Sequence, residues 1–431
     1  MIKNEQKRTK LYEFSPLFYF GLNPPLRKIS SVSKNRHLLN YHITKRGKIK
    51  VLFIADITTW PMCTGGAEVG SHMMLNILDQ SYNCKCISVG ILPNYEYFKF
   101  KNLENILKQQ KIKFEKLSYI NIRPSIRDYN IKLFPLSIKR NSFWGISFKH
   151  YYKSYIVIKN KLYEILKHEL LKNKPDIIIS QSKKAKKIYK LVNKNNIPIF
   201  VYIVDNSDDT PSMIKSIQPY KNIHILYYSN FLKNRFRPIL KDHPHTILTP
   251  PIDKRNYLVK YNSKKFVTFI NPVKQKGVEI FKKIVKRMPE VNFLVVEGWF
   301  PLDKVKKEFS KYQNVTFMDK QLDMRNVYNK TKILLIPSVW QEAFGRVAVE
   351  AGLNGIPSIA SDVGGLNESV GKEGILIKDY RNIDEWIKNI NLLLDNDKKY
   401  HLYSNAAKKH SKKYTNLSEC KKLVNIIKNK I

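Results

Sequence analysis

Short apolar runs separated by amphipathic stretches set the rhythm of this chain. Lys48–Ala55 carries Val51-Leu52-Phe53-Ile54-Ala55 without alternation, the pattern of a strand buried on both faces of a parallel sheet. Similar runs occur at Cys86–Val89, Asp176–Ile179, Ile199–Val204 and Ile223–Tyr228. Between them, helical spacing fits Val69–Leu78, 102–111, 148–172, 183–194 and 230–237. A turn-rich connection, Asp242-His243-Pro244 through Pro250-Pro251-Ile252-Asp253, leads into a second series. Its strands fit Phe266–Ile270, Phe293–Val296, Val315–Phe317, Ile333–Ile336, Ser358–Ala360 and Ile375–Ile377. Its helices fit 276–288, 302–310, 322–330, 344–354 and 382–395. Strand alternating with helix predicts α/β architecture, here two doubly wound parallel-sheet Rossmann-like domains. The expected layout is a basic extension at 1–47, a first domain at 48–255, a second at 262–396, and strandless helices at 397–431 packing back on the first domain.

Composition changes this picture little, apart from charge. At 431 residues the chain is long enough for two domains. The net charge of +42 would suit nucleic acid or an anionic membrane surface. Only 14 of the basic residues are Arg and 63 are Lys, whereas nucleic-acid readers rely on the bidentate guanidinium. The Lys is spread along the chain, so solvated faces of a Lys-rich composition come first, a membrane surface second and nucleic acid last. The four cysteines, Cys63, Cys84, Cys86 and Cys420, form no zinc pattern and read as buried thiols of a reducing cytosol. No apolar run reaches the length of a membrane span. Glu13 and Pro16 interrupt the apolar stretch Leu11–Phe20 and no small-residue cleavage site follows. A segment packing on the globular body is expected there rather than a signal peptide, with an interfacial membrane segment as the alternative.

Candidate chemistry lies in the turns that follow strands. In the first domain Gly65-Gly66 precedes a helix, which lets backbone approach a ligand near a helix start. In the second domain Asn271-Pro272-Val273-Lys274-Gln275-Lys276-Gly277 follows the first strand, and a lysine there can meet a diphosphate as a point charge. The run Ile333–Ile336 ends in Pro337-Ser338 and continues through Glu342, Phe344-Gly345, Arg346 and Glu350 into a helix. Two carboxylates beside a helix start suit sugar and ribose hydroxyls. Gly364-Gly365, after a later strand, is a third candidate backbone cradle. Asp205 follows the strand Ile199–Val204, and His72 reads as a packed helix residue. Asp208-Asp209 are adjacent, a poor geometry for one metal site.

These motifs resemble those of the retaining family 4 glycosyltransferases of GT-B fold, known as glycosyl transferases group 1, over most of 48–430 and most strongly over 333–377. The resemblance implies two Rossmann-like domains facing across a cleft. It implies that Glu342, with the backbone at Phe344-Gly345, holds donor-sugar hydroxyls, that Glu350 holds the ribose, and that Lys276 holds the donor diphosphate opposite Gly65-Gly66. The chain departs from the pattern at Asn271, where such proteins usually carry Arg, and at Gln181 and Val204-Asp205, where histidines often stand, which makes Asp205 the best polar candidate on the acceptor side. Arg346 or Lys274 is the expected second positive charge.

The implied reaction moves a sugar from a nucleoside-diphosphate sugar to a glycan or lipid-linked acceptor, with retention and without a metal or other cofactor. Envelope polysaccharide, lipopolysaccharide or glycolipid synthesis on the cytoplasmic side of a membrane is the expected setting. Another GT-B activity, epimerase or phosphorylase, fits the two-glutamate and Gly-Gly pattern less well. A non-catalytic GT-B domain binding glycan or a partner and, behind it, a basic nucleic-acid binder remain as alternatives.

Overall fold

The computed structural model describes residues 47–56, 65–91, 113–118, 144–149, 153–157, 166–167, 170, 174–193, 196–299, 303–321, 323–415 and 418–431. The expectations for residues 1–46, for Cys63 and for a helix at 102–111 lie outside them.

Two sheets carry the fold. The first comprises β1 (Ile49–Ile54), β2 (Cys84–Ile91), β3 (Lys113–Ser118), β4 (Trp144–Lys149), β5 (Lys153–Val157), β6 (Ile177–Ser180), β7 (Ile199–Ile203), β8 (Ile223–Tyr227) and β9 (His245–Ile247). Among the described residues its order is β3-β4-β5-β2-β1-β6-β7-β8-β9. The second sheet comprises β10 (Phe266–Ile270), β11 (Phe293–Val296), β12 (Val315–Met318), β13 (Thr331–Ile336), β14 (Ser358–Ser361) and β15 (Ile375–Ile377), in the order β12-β11-β10-β13-β14-β15. The second sheet is parallel throughout. In the first, β4 pairs antiparallel with both β3 and β5. That edge corrects the early part of the helix expected over 148–172, whereas Leu166, Lys167 and Leu170 are helical. Tyr155, Ile156 and Val157 are β-branched or aromatic residues suited to a pleated strand, and β5 pairs in parallel with β2.

Helices with described bounds are α1 (Gly66–Ser81), α2 (Ala185–Asn193), α3 (Asp209–Ile217), α4 (Asn230–Phe236), α5 (Val278–Arg287), α6 (Asp303–Phe309), α7 (Arg325–Tyr328), α8 (Arg346–Gly352), α9 (Leu366–Val370), α10 (Ile383–Asp395), α11 (Asp397–Ser411) and α12 (Ser418–Lys428). Their apolar residues recur at helical spacing: α2 buries Ala185, Ile188, Tyr189 and Val192, and α12 buries Cys420, Leu423, Val424 and Ile427. α12 lies against α1, and α11 against α8 and α10. One core runs through the first domain and continues into the second as Leu334, Ile336, Phe344, Ala348 and Val349. A separate core on the other face of the second sheet gathers Phe269, Phe281, Phe293 and Trp386. The three described thiols are buried, and burial pushes Cys84 up to about 12 and Cys86 well above its ordinary value.

Strand order reverses between β1 and β6 in one sheet and between β10 and β13 in the other. The carboxyl ends of such strand pairs form the crevices where open α/β sheets hold ligands. The domains are joined by specific bonds. Glu368, in α9, accepts hydrogen bonds from the backbone N–H of Asn230 (2.9 Å) and Phe231 (2.7 Å), capping α4 of the first domain. Its own carbonyl accepts from Tyr414 Oη at 2.8 Å, and His410 Nε2 also lies 2.8 Å from it. Among the described residues, no helix is long and apolar enough to cross a membrane.

Candidate active site

The loops after β10 and β13 zip together. Val339 N–H donates to the Gln275 carbonyl at 3.0 Å. Gly277 has φ +83°, and a Cβ there would lie 1.7 Å from the Pro337 carbonyl oxygen, so only glycine fits this approach. The contact places Lys276 beside Glu342. Lys276 Nζ donates to Glu342 Oε1 at 2.5 Å and Ser338 Oγ donates to the same oxygen at 2.6 Å. Glu342 is buried. Burial pushes its carboxyl up, but the Lys276 ammonium, with the hydrogen bonds from Lys276 and Ser338, outweighs this and holds it below the usual range.

Gly364 and Gly365 shape the loop that carries Glu342. Gly364 has φ +60°, and a Cβ there would sit 2.3 Å from the Glu342 carbonyl oxygen. Gly365 N–H donates to that carbonyl at 2.7 Å. Phe344 is buried, with Tyr414 at 5.0 Å and Tyr228 at 6.4 Å between ring centroids. Gly345, φ +90°, starts α8.

Glu350 and Arg346 form a second, fully internal group. Arg346 Nε lies 3.3 Å from Glu350 Oε1, and both residues are buried. The guanidinium also donates to the Pro251 carbonyl (3.2 Å) and to Tyr257 Oη (3.1 Å). Tyr328 Oη donates to Glu350 Oε2 at 2.8 Å. Burial, then the Glu350 charge, pushes the Tyr328 phenol well above its usual pKa and keeps it a donor. Gly66 packs here: a Cβ would lie 3.3 Å from Arg346 Cδ, and its carbonyl accepts from Tyr228 Oη at 2.9 Å. Arg346, the expected second positive charge, thus has its guanidinium engaged by Glu350, Tyr257 and Pro251. Lys274 is exposed.

Asp205 stands in a separate cluster at the end of β7. It pairs with Lys183 Nζ and accepts from Thr210 Oγ1 at 2.6 Å and from Ser207 N–H at 3.2 Å. Burial raises its pKa, yet the Lys183 charge and these bonds leave it lowered. Asp56, after β1, accepts from Ser182 Oγ at 2.6 Å and Lys183 N–H at 2.5 Å, so these residues bridge the switch point of the first sheet. Gln181 accepts from Ser71 Oγ at 2.6 Å, and His72 Nε2 lies 2.9 Å from Asn76 Nδ2 inside α1. Among the described residues no cluster of His, Cys, Asp or Glu could hold a metal ion.

The structure therefore brings Lys276, Glu342 and Ser338 to one point, with Gly364-Gly365 beneath their loop. It gathers Gly66, Arg346 and Glu350 at another. Sequence reading missed Ser338, Lys183 and the aromatic pair Trp299 and Trp340 beside Lys276. For Ser338 the signal was present, four positions before Glu342 in a strand-end loop. For Trp299 and Lys183 it lay only in three-dimensional contact.

Comparison with known proteins bears on the family and the fold. Residues 252–410 match the family model described as glycosyl transferases group 1. Spore coat protein SA of Bacillus subtilis is 30% identical over 157 residues, 32% of this chain and 41% of that protein. The D-inositol 3-phosphate glycosyltransferase of Mycobacterium marinum is 32% identical over 143 residues, 30% of each chain. The chain thus spans less than half the length of these curated relatives. The solved structure of HepE from Anabaena, in complex with UDP and glucose, superposes with a TM-score of 0.63 at 15% identity, covering 88% of this chain and 100% of that one. The architecture is GT-B, and the match to the glycosyl transferases group 1 model falls on its second domain.

Proposed function

We propose that the protein is a retaining, family 4-type glycosyltransferase, moving a sugar from a nucleoside-diphosphate sugar to a glycan or lipid-linked acceptor. The carrying observation is the convergence of Lys276, Glu342 and Ser338 where β10 and β13 end, at the switch point of the matched domain. The structure of HepE holds UDP and glucose, and the mycobacterial relative is a glycosyltransferase by name. Both support a nucleotide-sugar donor here.

In this reading the diphosphate displaces Glu342 from the Lys276 ammonium. Glu342, released, accepts a hydrogen bond from a donor-sugar hydroxyl, and Ser338 holds its carboxylate in place. As the bond from the anomeric carbon to phosphate breaks, negative charge grows on the leaving diphosphate, and Lys276 stabilises it. Lys276 supplies the charge for which some transferases use a metal, so the reading needs none. Arg346 holds the start of α8 and Glu350 rather than the phosphate. Glu350 is the ribose partner, Gly65-Gly66 face the donor from the first domain, and Asp205 with Lys183 lies on the acceptor side. The basic surface fits work at the cytoplasmic face of an anionic membrane, in envelope polysaccharide, lipopolysaccharide or glycolipid synthesis.

The direct pairing of Lys276 with Glu342 also favours a second reading, a self-satisfied domain that binds glycan or a partner without turnover. Calorimetry with UDP, GDP and ADP tests the first. One of them binds the wild-type chain, and Lys276→Ala weakens it at least about tenfold, the scale of a charge-assisted contact. Unchanged affinity in Lys276→Ala removes Lys276 from the site. Binding of a nucleotide sugar with no hydrolysis or transfer favours the second reading.

A further inference from the structure

Lys276 has more partners than a donor-binding lysine needs. Its ammonium lies 5.1 Å from the ring centroid of Trp299 and 5.2 Å from that of Trp340. The two indoles stand 5.7 Å apart at 64°, forming two walls of a cup around it. Both rings are only half-buried, at the carboxyl edge of the second sheet. Cations within about 6 Å of an indole face are attracted by its quadrupole.

Trp299 comes from the turn after β11 and is set in place by Asn271. Asn271 Oδ1 accepts the Trp299 backbone N–H at 3.1 Å. A Cβ on Gly298 would lie 2.4 Å from Asn271 Cβ, so the turn rests directly on that side chain. Asn271 itself sits at φ +64°, a left-handed conformation that asparagine tolerates better than most residues. The position where the resembling family carries a second cation is used here to fix an aromatic ring.

We propose that Trp299, held by Asn271, is a positioning residue that keeps the Lys276 ammonium in place while its anionic partner changes. This rests on the reading that Lys276 meets the donor diphosphate. When phosphate replaces Glu342, a four-carbon side chain without other restraint would be free to follow either anion. The indoles carry no charge and do not compete for the phosphate as a carboxylate does. In the free protein Glu342 also holds the ammonium, so the indoles count for more once phosphate has displaced that carboxylate, and one lysine serves where two cations are otherwise expected.

The test is titration of the full-length chain by calorimetry, using whichever of UDP, GDP and ADP binds the wild type. Trp299→Leu is expected to weaken that nucleotide by about tenfold, the upper range of a partly desolvated cation–π contact. Trp299→Phe retains a ring face and is expected to stay within about threefold of wild type. Asn271→Gly, which keeps the backbone conformation but removes the acceptor, is expected to fall between them. Melting curves taken alongside separate loss of binding from loss of fold. If Trp299→Leu fails to fold, Asn271→Gly and Trp299→Phe carry the decision. Wild-type affinity in Trp299→Leu, or equal weakening in Trp299→Phe and Trp299→Leu, overturns the proposal while Lys276→Ala still loses binding. Wild-type affinity in Lys276→Ala overturns the donor reading and the proposal with it.

Discussion

Replacing Glu342 by Gln is the most informative single perturbation, because it removes one charge and little volume. The side chains of Lys276 and Glu342 retain 18% and 8% exposure, so the pair is largely internal. Breaking a fully buried pair costs roughly 3–5 kcal/mol. Here Lys276 keeps some contact with water and the faces of two indoles, each worth about 0.5–2 kcal/mol. Ser338 can still donate to the amide oxygen. The expected loss is therefore about 1–3 kcal/mol, or a fall in Tm of roughly 2–10 °C. Scanning fluorimetry across pH adds a sign. Glu342 has its pKa lowered by folding, so its ionised form stabilises the native state. That contribution is fully present above the unfolded value of about 4.3 and fades as pH falls through the lower folded value. The gap between wild type and Glu342→Gln should accordingly be constant near neutrality and close in acid. Asp205, also lowered, is present in both proteins and leaves the difference unchanged. Turnover of a confirmed donor should fall by more than about tenfold, as for loss of a transition-state hydrogen bond. A variant that melts and turns over like wild type would refute the argument for this pair.

Two further outcomes are expected. Gly364→Ala forces a Cβ to within 2.3 Å of the Glu342 carbonyl at φ +60°, so it should cost roughly 2–4 kcal/mol and disturb the Glu342 loop; an unchanged denaturation midpoint contradicts this. The +42 charge should draw the chain to anionic vesicles in a salt-sensitive way. Absent or salt-insensitive binding in a flotation assay leaves only the compositional explanation of the charge.

Strands buried on both faces were legible almost residue by residue, because a parallel sheet between helices writes itself as an unbroken apolar run. Phe266–Ile270 and Phe293–Val296 were read with the bounds observed. The stretch 148–172 misled because mixed aromatic and lysine residues at an antiparallel sheet edge carry no such run, and 148–172 admits a helical phase. Glu342 and Lys276 were legible as separate features, one in a strand-to-helix turn and the other before a glycine. Their direct bond was not, since it joins positions 66 residues apart. Arg346 illustrates the same limit from the other side. An arginine at a helix start reads as an anion site, and only packing against Pro251, Tyr257 and Glu350 shows where its donors go. Gly364-Gly365 read as a cradle for a ligand; the structure seats the protein's own backbone there.

Glu368 ties three parts of the chain through a single residue: its carboxylate caps α4 of one domain, its backbone belongs to α9 of the other, and its carbonyl is held by Tyr414. Rigid rotation displaces atoms in proportion to their distance from its axis. For the domains to swing apart with these bonds intact, the axis must pass close to Glu368. The loops carrying Gly66 and Lys276 would then move farther the farther they lie from that line. The residue is thus one point that any opening of the site must either turn about or release.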